Sequence, residues 1–113
     1  MLSIKNRLRK KKEFSFIYKK GETYHTKYLT LYCYKTKYNF CKVGFSVSKK
    51  IGDSVTRHKV KRRLSEIVRL SIKNFPINNY IFVSKNGIES LDYNALKEQV
   101  EQVISKVKTD EGK

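Results

Sequence analysis

Arg57-His58-Lys59-Val60-Lys61-Arg62-Arg63 sets five permanent cations and a histidine within two turns of a prospective helix. At 100° per residue Val60, Leu64 and Ile67 form one apolar stripe. Arg57 and Lys61 then lie a turn apart along one flank, and His58 and Arg62 a turn apart further round. Guanidinium forks and ammonium point charges arranged in this way capture phosphates without breaking bonds. The turn Gly52-Asp53-Ser54 precedes the run, so the backbone N–H groups of the helix start add a partial positive charge. Lys49 and Lys50 extend the basic stretch upstream. A second group is aromatic: Phe14 and Tyr18 stand at i, i+4, and Tyr32 lies in an alternating segment. Bases stack on such rings for about 1–3 kcal/mol each, with little sequence preference. Each pattern has a plainer alternative, a solvated basic face for the first and ordinary core for the second.

Bond-breaking chemistry has little to rest on. The chain contains no GxSxG, HExxH, P-loop or GxGxxG pattern. His25 and His58 lack a carboxylate at a suggestive spacing, and no acidic pair stands out as a magnesium clamp. His25 reads as an exposed loop histidine and His58 as a contact residue within the basic run. Cys33 and Cys41, eight apart, make no metal-ligand set and read as reduced thiols inside a sheet. No catalytic residue, metal site or cofactor is therefore expected in the chain itself.

The 113 residues fit a single domain, 1–113, with ends 1–5 and 109–113 expected to fray. Of 26 Lys and Arg, 21 fall within residues 1–73, beside only 4 of the 10 acids. The net charge of +16 is thus confined to the first two-thirds of the chain, which points to a polyanionic partner. Fourteen Tyr and Phe separate it from a disordered basic tail. No apolar run reaches the roughly 20 residues that span a bilayer, and the start MLSIKNRLRKKK lacks a signal-peptide core. A cytoplasmic location is expected.

The elements that would position these residues follow from periodicity. A helix is expected over 12–20, stopped by Gly21, with Phe14, Ile17 and Tyr18 on one side. Residues 27–35 alternate, with Leu29, Leu31 and Cys33 on a core face and Tyr28, Thr30, Tyr32 and Tyr34 on the other. KTKYNF suggests a hairpin connection to a second strand, 42–48, whose Gly44, Ser46 and Ser48 leave one face open. A helix over 55–74, stopped by Pro76, leads to a continuously apolar strand at 80–84. Asn86-Gly87 then turns the chain, and Asp92 caps a helix over 93–108 whose Leu96, Val100, Val103, Ile104 and Val107 form its apolar face. The order α-β-β-α-β-α implies a two-layer α+β sandwich, with the strands at 42–48 and 80–84 parallel across the intervening helix.

The segment KVGFSVSKKIGDSVTRHKVKRRLSEIVR resembles the signature of the bacterial ribonuclease P protein component. Ser46-Val47-Ser48-Lys49-Lys50, Gly52, Arg57, Lys61 and Arg62 match it. The N-terminal NRLRKKKEF, followed by Tyr18 and Gly21, is similar too, so the likeness spans about residues 5–105. Two positions depart from it. The family's Arg-Asn-Arg triplet is Arg57-His58-Lys59 here, which keeps a hydrogen-bonding group and a charge but loses one guanidinium fork. Ser65 replaces a residue that is basic in many members.

The resemblance implies a small subunit of a ribonucleoprotein that removes the 5′ leader of precursor tRNA. It implies that the RNA subunit carries the catalytic centre and its magnesium ions. Lys49, Lys50, Arg57, His58, Lys59, Lys61 and Arg62 would dock on RNA, and Phe14, Tyr18 and Tyr32 would hold the single-stranded leader. The implied sandwich has a mostly antiparallel sheet with one parallel pair, joined by a left-handed crossover, a rare hand. The catalytic RNA and precursor tRNA are the implied partners, with no membrane and no obligate protein partner. The alternative is a structural RNA binder of the ribosomal-protein kind.

Overall fold

The computed structural model describes residues 2–111, the last three as backbone only. Helix α1 (Lys11–Lys20) ends at Gly21, whose N–H donates to the Ile17 carbonyl at 2.8 Å. A Cβ at Gly21 would stand 2.6 Å from that oxygen and 2.9 Å from the Cys33 oxygen, so only glycine lets the helix end so close to the sheet. The strands are β1 (Glu22–His25), β2 (Leu29–Lys35), β3 (Lys42–Ser46) and β4 (Asn78–Ser84). Helix α2 (Ser54–Ser71) links β3 to β4, and α3 (Tyr93–Glu111) closes the chain.

The sheet order is β1-β2-β4-β3. β2 pairs antiparallel with β1 and β4, and β3 runs parallel to β4. The expected α+β class, core stripes and parallel pair are all present. Two expectations need correction. β2 and β3 are not a hairpin: β4 lies between them, with Leu31 and Phe45 both in register with Phe82. β4 is the most apolar strand and is buried on both faces, so it takes the centre and displaces the local pairing. β1 was also absent from the expected order, because ETYH carries no apolar alternation. As an exposed edge strand it needs none. His25 accordingly sits in a strand, not a loop, with Nδ1 3.3 Å from the Thr30 hydroxyl.

The main core lies between α2/α3 and one face of the sheet. Val60, Leu64, Ile67 and Val68 of α2 and the five expected apolar residues of α3 are buried there with Leu29, Leu31, Tyr80 and Phe82. Each such aliphatic side chain contributes about 1.5–3 kcal/mol on burial. Tyr28 also packs on this core, because β2 begins one residue after it. Asp53 and Asp92 cap the two helices: their Oδ1 atoms accept the N–H groups of Thr56 and Ala95, each at 2.8 Å.

Helix α1 crosses the opposite face, where Leu8, Ile17 and Ile81 form a smaller buried cluster with Phe14, Tyr32 and Val83 around it. The N-terminal segment runs beside β3, bridging Arg7 to Val43 in parallel, with the Leu8 N–H donating to the Val43 carbonyl at 3.0 Å. Near the start of the chain Leu2 is buried and its carbonyl accepts the Arg7 Nε at 2.9 Å. At the other end α3 continues through Glu111, and the fraying expected at residues 1 and 112–113 lies outside the described residues. Among the described residues no helix is long and apolar enough to cross a membrane.

Candidate nucleic-acid interface

A groove of about 400 Å³ opens over strand β3, between α1 and α2. Val43, Gly44 and Phe45 form its floor, and Leu8 and Phe14 line the α1 side. Arg7 and Arg9 edge it from the N-terminal segment, and His58, Lys61, Arg62 and Ser65 edge it from α2. Three stretches distant in sequence thus place four permanent cations and two aromatic rings, Phe14 and Phe45, around one trough. Gly44 creates the room: an added Cβ would press on the Phe14 ring, 2.6 Å from its Cε1.

From Phe14 the rings continue along the same flank of α1. The Phe14 and Tyr18 centroids are 6.4 Å apart, and Tyr18 meets Tyr32 edge-on at 4.8 Å and 87°. Tyr18 is 39% exposed, while Phe14 and Tyr32 are half-buried. The two alternatives for these rings are therefore compatible: they seat α1 on the sheet and still present faces to solvent.

The basic helix is sorted differently from the expected two rows. His58, Lys61, Arg62 and Ser65 share the groove wall, since positions spaced 3, 4 and 7 apart return to one side of a helix. Arg57 is half-buried outside that wall, its Nε donating to the Gly52 carbonyl at 3.2 Å, where it braces the turn before α2. Lys49 and Lys50 are exposed on the 3-10 turn after β3 (Lys49–Ile51), next to this brace. Lys59 is exposed but faces away from the groove, about 100° round from His58. Arg63 is a structural residue: its Nη1 donates to the Leu91 carbonyl at 3.3 Å, tying α2 to the start of α3.

Sequence reasoning missed Arg7 and Arg9 as groove residues. Their signal was the Arg-Leu-Arg alternation at 7–9, which fits an extended segment with Leu8 turned inward. The Asp53 carboxyl is held below its usual range, chiefly by the Thr56 backbone N–H and hydroxyl and then by the Arg57 charge. Among the described residues no group of three or more His, Cys, Asp or Glu comes together to hold a metal. Cys33 and Cys41 are buried thiols. The arrangement equips the chain to bind an extended polyanion with flat faces.

The family model described as Ribonuclease P matches residues 2–108. The chain belongs to the ribonuclease P protein component family. It is 38% identical over 103 residues to the ribonuclease P protein component of Clostridium botulinum (strain 657 / Type Ba4), covering 89% of this chain and 93% of that one. The Finegoldia magna protein component is 37% identical over 101 residues, covering 88% of each. Among solved structures, the Staphylococcus aureus RNase P protein superposes with a TM-score of 0.86 at 26% identity, covering 91% of this chain and 95% of that one. The Thermotoga maritima RNase P protein gives 0.82 at 22% identity, covering 88% and 96%, which speaks for the fold alone. Membership makes the chain a subunit of ribonuclease P, the endoribonuclease of tRNA processing.

Proposed function

We propose that this subunit binds the 5′ leader of precursor tRNA in the α1–α2 groove while its basic margins dock on the catalytic RNA. The observation that carries this reading is the convergence of Arg7, Arg9, Phe14, His58, Lys61 and Arg62 on one trough over Gly44, with Tyr18 and Tyr32 continuing it. A base laid on Tyr18 or Tyr32 meets an aromatic face, and the flanking cations follow its phosphates. Lys49, Lys50, Arg57 and Lys59, outside the groove wall, serve the RNA backbone. In this reading the RNA subunit carries the catalytic centre and its magnesium ions, and the protein lends affinity and position.

The test compares precursors with long and short leaders. Phe14→Ala, Tyr18→Ala or Tyr32→Ala should weaken binding of the long-leader precursor by about five- to a hundredfold per ring. The short-leader precursor and assembly with the RNA subunit should change far less. Equal losses for both leaders would instead support a structural RNA binder that does not touch the leader.

A further inference from the structure

The other flank of α1 holds a second groove, of about 550 Å³, which the leader reading does not use. Phe16 is two residues from both Phe14 and Tyr18, about 200° of helical rotation, so it leans to the opposite side of α1. There its ring meets Tyr34 edge-on, with centroids 5.0 Å apart at 88°. Both rings remain open, Phe16 at 48% and Tyr34 at 36% exposure. A third ring, Tyr38, lines the same groove beneath the ammonium groups of Lys37 (5.7 Å) and Lys42 (5.1 Å). Lys10, Lys12 and Lys35 complete the cationic margin, and the acid that lines it, Glu13, lies 3.9 Å from Lys42. On the floor, the Asn79 Oδ1 is buried without a hydrogen-bond partner among the described residues.

We propose that this groove is a second site for single-stranded RNA, occupied independently of the first. Its cations are ammonium groups without guanidinium forks, which suits tracking of a phosphate backbone better than bidentate grip on carboxylates. Its open rings suit stacking of bases, which an acidic peptide does not supply. Side-chain amide rotation at Asn79 would offer a base edge either a donor or an acceptor. The two grooves share α1 as a common wall, so one helix sorts its rings into two binding faces by the parity of their spacing.

The experiment is a titration of isotope-labelled full chain with a short oligouridylate, followed by NMR. Two sets of resonances should shift with separate saturation, one around Phe14, Tyr18 and Tyr32, the other around Phe16, Tyr34 and Tyr38. The double variant F16A/Y34A should keep the first set and lose the second, and F14A/Y18A the reverse. F16L/Y34L, which preserves apolar bulk under α1, should also weaken the second site by about fivefold or more, whereas F16Y should retain it. K35A/K37A, on exposed side chains, should lower the log–log salt slope of the second site by about 0.7 per lysine. A single binding event abolished by F14A/Y18A would overturn the proposal, as would a poly-glutamate peptide that shifts the second set as strongly as RNA. Loss of only the first set in the wild-type chain would count against the leader groove and leave this one standing.

Discussion

Gly44→Ala tests the groove at its floor. The new Cβ would lie 2.6 Å from Phe14 Cε1 and 3.3 Å from Leu8 Cδ2. Carbon atoms pack best at about 3.5–4.0 Å, so the ring must move by about 1 Å or more. β3 is fixed by its parallel ladder to β4 and cannot retreat, so α1 or the Phe14 side chain must yield. Overpacking of this kind costs about 1–3 kcal/mol. A melting curve should report the destabilisation, and leader binding should fall with the displaced ring. Phe14→Leu in the Gly44→Ala background should recover much of the stability but not the stacking, giving a coupling of about 0.5–3 kcal/mol in the double-mutant cycle. If Gly44→Ala melts and binds leader like the parent, Phe14 does not depend on the cleft over Gly44, and the leader does not occupy this groove.

Other outcomes follow from the same geometry. Lys61→Ala and Arg62→Ala should each reduce the salt dependence of leader binding by about 0.7 in log–log slope, and Lys59→Ala should leave groove binding nearly intact; filter binding across a salt series reads both. Sulfate or phosphate at low salt should raise the melting temperature more than chloride of equal ionic strength, since anions bound to the folded state stabilise it by mass action; equal responses would remove the case for anion sites. The Asp53 carboxyl is held below its usual range in the folded chain, so its capping contribution is complete above the ordinary aspartate value and is lost as the pH falls through the lowered one. Asp53→Ala should therefore flatten that part of the acid denaturation profile, while Asp53→Ser, which can still cap, should retain helix stability at neutral pH.

The long periodic elements were legible because burial enforces their period. Val60, Leu64, Ile67 and Val68 on α2, and Leu96 to Val107 on α3, repeat at helical spacing because the sheet covers that side. The parallel β3–β4 pair followed from the intervening helix. The strand order did not, since a loop of six residues, 36–41, looks like a hairpin whether or not another strand later inserts. β1 left no signal because it buries almost nothing. At the site, residue types were readable but their sorting was not. Arg57 and Arg62 are chemically alike, yet one braces the Gly52 turn and the other lines the groove. Arg7 and Arg9 join Lys61 only because the N-terminal segment lies along β3, a contact that spans more than 30 residues of sequence.

Reconstitution shows whether the chain acts only together with the catalytic RNA. The purified chain is mixed with precursor tRNA at low magnesium, with and without the catalytic RNA of ribonuclease P. Leader removal is expected only when the RNA is present, faster with the protein than without it, and slowed for long leaders when Phe14 and Tyr18 are alanine. Leader removal by the protein in the absence of that RNA would contradict this expectation.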